Sequence, residues 1–282
     1  MKAQNCCAEN KKSLQDKRIG FIGGGAIAEA IIRGISAQGL MPAQILVHDI
    51  VAERLDYLKS HYGTVPISNA KSLVSAVDIL FLTVKPQVAE EVLGAIAPVT
   101  PAETTVVSVI TGLSLRALEE RFTPGTPIIR VMPNTPVAVG AGMSVLAPGR
   151  CATKEQQDAV LAVFSAVGRA VVLDERAMDA VTGLSGSGPG YVFLILDALA
   201  DAGVRVGLPR KTALELAAQT ILGAAKMVLD TGEHPAKLRD MVTSPGGTTI
   251  AGLQVLEQRA LRGAIIDAVV AATARAKELG SQ

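Results

Sequence analysis

The chain has no tryptophan, three tyrosines and five phenylalanines, so aromatics make up 3% of its 282 residues. Its core must be filled by Ala, Val, Leu and Ile, which suits close-packed helices and buried parallel strands. Cysteine is scarce as well. Cys6, Cys7 and Cys151 are the only three, an odd number that excludes a complete disulfide framework. They do not form a zinc-binding spacing either, and no metal is expected. A chain without disulfides suits a reducing compartment, so the cytoplasm is the expected location. Charge of one sign is missing: 27 Lys and Arg stand against 26 Asp and Glu, a net charge of +1. That leaves no basic surplus to neutralise a phosphate backbone, so nucleic acid is not an expected partner. No apolar run reaches the roughly 18 uninterrupted residues of a membrane span, and no membrane is expected. Residues Met1–Lys17 are polar, with Lys11, Lys12 and Lys17 and no apolar stretch, and read as a disordered leader instead of a signal peptide.

What is present is 49% hydrophobic residue, enough for two modest domains. Between residues 18 and 174 short β-rich runs alternate with helical patterns, the order of an α/β fold with a parallel sheet. The strand-like runs are Arg18–Ile22, Gln44–His48, Thr64–Ile67, Asp78–Val84, Thr104–Val109, Pro127–Met132, Gly142–Leu146 and Ala170–Leu173. Helices are expected over Ala26–Gln38, Val51–Ser60, Gln87–Ala97, Leu115–Phe122 behind a Ser114 cap, and Lys154–Ala166. From residue 175 to 282 strand signals stop, and the pattern is helical: Pro189–Ala202, Arg210–Asp230, Pro235–Met241, Gly247–Arg259 and Arg262–Leu279. Segments such as YVFLILDALA and IIDAVVAATA are apolar on nearly every face and must be enclosed. Five helices cannot enclose one another fully, so a second copy of the chain is expected to cover them.

The first strand runs into Gly23-Gly24-Gly25-Ala26-Ile27-Ala28, a G-x-G-x-x-A pattern between a strand and a helix. Gly23 permits the sharp turn, Gly25 removes the side chain where a diphosphate must approach, and Ala28 lets the helix lie close to the strand. The amides at the helix start, those of Ala26 and Ile27, would hold the phosphates with help from the helix dipole. The reading is a Rossmann-type dinucleotide-binding domain for NADPH or NADH. Asp49, at the end of the second strand, would bond the adenosine ribose and favour NADH. His48, Arg54 and Asn69 nearby would instead receive a 2′-phosphate, and the sequence leaves the two open.

Four further segments carry a resemblance: Val84-Lys85-Pro86-Gln87, Arg130-Val131-Met132-Pro133-Asn134-Thr135-Pro136, Leu184-Ser185-Gly186-Ser187-Gly188-Pro189-Gly190-Tyr191 and Val242-Thr243-Ser244-Pro245-Gly246-Gly247-Thr248-Thr249. In this order the chain closely resembles the pyrroline-5-carboxylate reductases, from about Arg18 to Leu279. The resemblance implies an NAD(P)H-dependent oxidoreductase acting on a C=N bond, in the last step of proline biosynthesis, on an all-α dimerisation domain behind the Rossmann-type one. It implies that Val84, Lys85, Pro86 and Asn134 line the nicotinamide end of the coenzyme. It also implies that Ser244, Gly246, Gly247, Thr248 and Thr249, with Ser187, hold the substrate, and that Thr249 and Ser244 act in catalysis. On its own terms the Ser244–Thr249 loop is a glycine turn opening a helix, a cluster of amides and hydroxyls suited to a carboxylate. Two positions depart from the family: Gly190, usually Ala, and Asp49, where many members have Ser, Thr or Asn and prefer NADPH. Glu233-His234-Pro235 reads as a helix cap before it reads as an acid–base pair. A β-hydroxyacid dehydrogenase shares the plan but wants a lysine between Thr182 and Leu199, where none stands. A non-catalytic dinucleotide-binding regulator would show a damaged substrate loop.

Overall fold

The computed structural model describes Leu14, residues 17–37, Gly39 and residues 45–280. The leader apart from Leu14 and Lys17, with its Cys6, Cys7, Lys11 and Lys12, and Gln38 and Gln44 of the expected elements lie outside the described residues. Close packing divides the chain into two units. The first holds residues up to Gly186 together with those from Ala272 on, and the second holds Ser187–Ala271.

The first unit is built on one sheet of eight strands: β1 (Ile19–Ile22), β2 (Ile45–His48), β3 (Val65–Pro66), β4 (Ile79–Leu82), β5 (Thr105–Ser108), β6 (Ile128–Pro133), β7 (Gly142–Pro148) and β8 (Gly168–Val172). Their spatial order is β3-β2-β1-β4-β5-β6-β7-β8. The run from β3 to β6 is parallel. This 3-2-1-4-5-6 order is that of a dinucleotide-binding fold, and its direction reverses between β1 and β4. The parallel expectation fails at one place, where β7 pairs antiparallel with β6. Only residues 134–141 join them, too few for a crossover, so the chain must turn back as a hairpin.

Helices α1 (Ala26–Ala37), α2 (Ala52–Tyr62), α3 (Ala70–Val74), α4 (Ala89–Ile96), α5 (Leu115–Glu119), α6 (Lys154–Ser165) and α7 (Met178–Val181) cover the sheet. One core layer packs α1 and α6 on the sheet through Ile31, Ile32, Val160 and Phe164, the other packs α4 through Leu93 and Ile96. Three of the five phenylalanines meet here: Phe21 stacks on Phe81 at 4.9 Å, and Phe81 lies 6.1 Å from Phe164. Ala28 is fully buried, as its place in the glycine motif requires. Helix α3 was not foreseen. Its five residues are too few to show a period, and its signal is Asn69, whose Oδ1 accepts the Lys71 and Ser72 amides as an N-cap.

The second unit is helical: α8 (Gly188–Arg205), α9 (Arg210–Thr231), α10 (Pro235–Met241), α11 (Thr248–Gln258) and the first part of α12 (Leu261–Gly280). Helices α8 and α9 form its main pair, joined where Gly203 faces Ala213 so closely that a methyl group would lie 2.6 Å away. Its only buried apolar residues are Ala200, Ala213 and Ala217, while Phe193 and Leu194 are 63% and 72% exposed. A single copy therefore leaves this unit's apolar surface in water. By length and composition α9 could cross a membrane, although Glu215 and Lys226 interrupt it. Gly190 lies in the first turn of α8, where the family's alanine would meet nothing within 4 Å.

Candidate functional site

The glycine turn sits where the sheet order reverses, between the carboxyl ends of β1 and β4. Gly23 adopts φ +96°, and a methyl group on it would stand 2.8 Å from the Thr83 carbonyl. Only glycine takes that conformation and that proximity together. A methyl group on Gly25 would meet nothing within 4 Å. The space beside Gly25 is thus open, as a ligand contacting the backbone there requires, and the first amides of α1 lie beside it without intrahelical acceptors. The residues present therefore fit a dinucleotide diphosphate.

Gly24 is held at both backbone polar groups. Its N–H donates to Asp49 Oδ2 at 2.6 Å, and its carbonyl accepts from Arg54 Nε. Arg54 in turn pairs with Glu29 on α1 at 2.5 Å, and the Tyr57 and Tyr62 hydroxyls donate to the same carboxylate at 3.1 and 2.9 Å. Burial pushes the Glu29 carboxyl up, but the hydrogen bonds from Arg54, Tyr62 and Tyr57 and the guanidinium charge outweigh it, and the pKa is held below its usual value. Thr83, just past β4, donates to the carbonyls of Ile22 and Gly23 at 3.0 and 2.6 Å. The sequence reading missed Glu29, Tyr62 and Thr83. Their partners lie 25 to 61 positions away in sequence, and no local pattern carries that information.

The remaining candidates of the first unit have these places. Val84 lines a cavity of about 180 Å³ with Gly23, His48 and Asp49. Lys85 is exposed and precedes the single 3-10 turn Pro86–Val88. Asn134 is tied at both ends of its side chain: Oδ1 accepts from the Met143 amide at 2.8 Å, and Nδ2 donates to the Ser185 carbonyl at 3.0 Å. It thereby anchors the π-helical turn Thr182–Gly186, an element that often marks functional segments. Pro86, Gln87, Ile110, Thr111 and Gly112 also border a recess of about 520 Å³ past the ends of β4 and β5. The Ile110–Gly112 segment was not singled out in the sequence.

In the second unit, Ser244-Pro245-Gly246-Gly247 forms a tight turn. The Gly247 amide donates to the Ser244 carbonyl at 3.0 Å, and Gly246 has φ +66°. Proline followed by a positive-φ glycine is the signature of a type II turn. Gly247 then caps α11 without a side chain, so no side chain satisfies the first amides of the helix. Thr248 and Thr249 occupy its first two positions, with Thr249 half-buried. Ser187 precedes α8, and its side chain makes no cap bond to it. His234 accepts the Ala236 amide at 3.2 Å as the cap of α10, so Glu233-His234 is a helix start. Among the described residues no group of three His, Cys, Asp or Glu is arranged to hold a metal.

Sheet order, glycine turn and open diphosphate position define a dinucleotide-binding protein of the Rossmann type. Residues 18–112 match the family model described as NADP oxidoreductase coenzyme F420-dependent, and residues 175–279 match pyrroline-5-carboxylate reductase dimerisation. A pyrroline-5-carboxylate reductase of Synechocystis sp. is 46% identical over 266 residues, 94% of this chain and 99% of the relative. The solved reductase from Coxiella burnetii superposes with a TM-score of 0.89 at 36% identity, covering 93% of this chain and 98% of that one. The Plasmodium falciparum enzyme, solved with NADP bound, gives 0.83 at 31%, covering 94% and 99%. The chain belongs to the pyrroline-5-carboxylate reductase family. It is an NAD(P)H-dependent oxidoreductase, and its helical region is the family's dimerisation domain, so the chain associates with itself.

Proposed function

We propose that the chain reduces 1-pyrroline-5-carboxylate to proline with NAD(P)H, the last step of proline biosynthesis, as a cytoplasmic homodimer or larger homo-oligomer. The observation that carries the substrate assignment is the Ser244–Thr249 turn: a type II turn feeding a helix whose first amides have no side-chain cap. A single carboxylate fits such a site without a fixed cation, and the helix dipole adds about 0.3–1 kcal/mol. The functional boundary is placed between residues 174 and 175, supported by the start of the dimerisation match at 175.

Reduced nicotinamide supplies the hydride that goes to the imine carbon. The protein's share is positional, because a protonated cyclic imine is already electrophilic and needs mainly orientation and exclusion of water. Gly25 and the amides of Ala26 and Ile27 hold the diphosphate, while Gly23 and the Asp49 carboxylate fix the turn that presents them. Val84, Lys85, Pro86 and Asn134 border the nicotinamide, Asn134 through the Ser185 segment it anchors. Asn69 serves through the α3 cap that shapes the ground beyond β3. Ser244, Gly246, Gly247 and Thr248 hold the substrate carboxylate, with Ser187 beside it. The Thr249 hydroxyl bonds the ring nitrogen or orients the water that protonates it, and Ser244 supports that geometry. Neither nucleic acid nor a membrane is a partner in this reading. Helix α9 is packed on α8 and bears the Arg210–Asp201 and Lys226–Asp230 ion pairs, which suits an intersubunit helix.

Replacing Thr249 by Ala removes one hydrogen bond at the reacting end, about 1–3 kcal/mol, and turnover should fall roughly 10- to 100-fold. Coenzyme affinity, measured by titration, should stay within about twofold, since the role proposed for Thr249 is toward the substrate nitrogen and not toward the coenzyme. Unchanged turnover removes Thr249 from its role.

A further inference from the structure

The end of β2 bears on which coenzyme this chain takes. We propose that it binds NADH in preference to NADPH, and that Asp49 is the residue that decides. The proposal rests on the dinucleotide reading above, in which the adenosine half of the coenzyme lies against the carboxyl end of β2.

Asp49 directly follows β2 and lines the cavity of about 180 Å³ with Gly23, His48 and Val84. Its carboxylate is fixed. Oδ2 accepts the Gly24 amide at 2.6 Å and Oδ1 accepts the Val51 amide at 2.9 Å, so the group cannot swing out of the way. A carboxylate offers about four acceptor positions, and the two left over suit the two hydroxyl donors of a ribose. A 2′-phosphate carries about −1.5 to −2 charges and donates nothing of use here, so it meets repulsion at the same place.

A cation could reverse that balance, and each candidate is committed elsewhere. Arg54 points its Nε at the Gly24 carbonyl and its Nη2 at Glu29, 2.5 Å away, where the Tyr57 and Tyr62 hydroxyls complete the clamp. His48 Nδ1 lies 2.9 Å from the Ile67 carbonyl. A carbonyl only accepts, so Nδ1 spends its proton there and is not free for a phosphate. Asn69 spends its oxygen on the cap of α3, and its remaining donor is uncharged. The other acid on the cavity wall is Glu91, and no Lys or Arg lines it. The Plasmodium falciparum relative was solved with NADP bound, so the discrimination belongs to this chain's own side chains and not to the fold.

The test is a direct binding titration of NADH and NADPH, by calorimetry on the full-length protein and its Asp49→Ser variant. Wild type should bind NADH roughly tenfold or more tightly than NADPH. In Asp49→Ser the ratio should fall toward unity or invert, with NADPH gaining. Both coenzymes share the diphosphate, so any loosening of the Gly24 turn weakens them alike and leaves the ratio untouched. Competition by ADP against 2′,5′-ADP should give the same ratio without the nicotinamide. Equal or tighter NADPH binding by wild type overturns the proposal, and an unchanged ratio in Asp49→Ser removes Asp49 from it. Failure to bind either coenzyme overturns the dinucleotide reading and this proposal together.

Discussion

Gly23 and Gly25 stand two residues apart in one turn, yet a methyl group would do opposite things at them. At Gly23 it meets the Thr83 carbonyl in a conformation of φ +96°. Gly23→Ala should therefore cost about 1–3 kcal/mol of stability, read as a lower midpoint in thermal or denaturant unfolding. At Gly25 a side chain enters open space. Gly25→Val should leave the unfolding midpoint nearly unchanged and weaken coenzyme roughly tenfold or more, because the valine stands where the diphosphate must lie. Equal losses of stability in the two variants would contradict this division of labour. Both glycines were legible in the sequence, because strand, turn and helix are contiguous there. For Asn134 the resemblance implied a place beside the nicotinamide, but the partners of its side chain were not legible. Its bond to Ser185 spans 51 positions and becomes visible only when the hairpin of β6 and β7 is built.

Among the elements, α1 and α2 matter jointly, because Glu29 on one and Arg54 and Tyr62 on the other clamp the turn between β1 and α1. The Glu29 pKa is lowered on folding. Its contribution is therefore present in full above the usual carboxylate value of about 4.3 and is lost as pH falls through the lower folded value. Wild type should lose stability relative to Glu29→Gln below about pH 4.5, so that melting curves of the two converge in acid and separate at neutral pH. A gap that stays constant across that range would show that the carboxylate charge contributes nothing. Element types were read correctly along most of the chain because the periodic runs are long and buried on one face or both. The failures have physical causes. Helix α3 is five residues long and capped by a side chain, and the reversal of β7 depends on the length of a connection, not on hydropathy.

At the scale of the whole molecule, the second unit cannot satisfy itself. Leu194 and Phe193 on α8, Leu222 on α9 and Val270 on α12 are each at least 60% exposed in a single copy. Exposed apolar surface on that scale marks an interface, and the family's dimerisation match covers the same residues. The chain should sediment as a dimer or larger at low micromolar concentration, and Leu194→Glu should shift it toward monomer. A stable wild-type monomer would contradict the prediction. This need for a partner was visible in the sequence as helices apolar all round, whereas the residues they cover were not.

The reaction itself is tested most directly by following the hydride. Incubated with 1-pyrroline-5-carboxylate and NADH or NADPH deuterated at the transferred position, the protein should yield proline carrying one deuterium at the former imine carbon. Coenzyme that stays reduced, or proline formed without the label, would contradict the account.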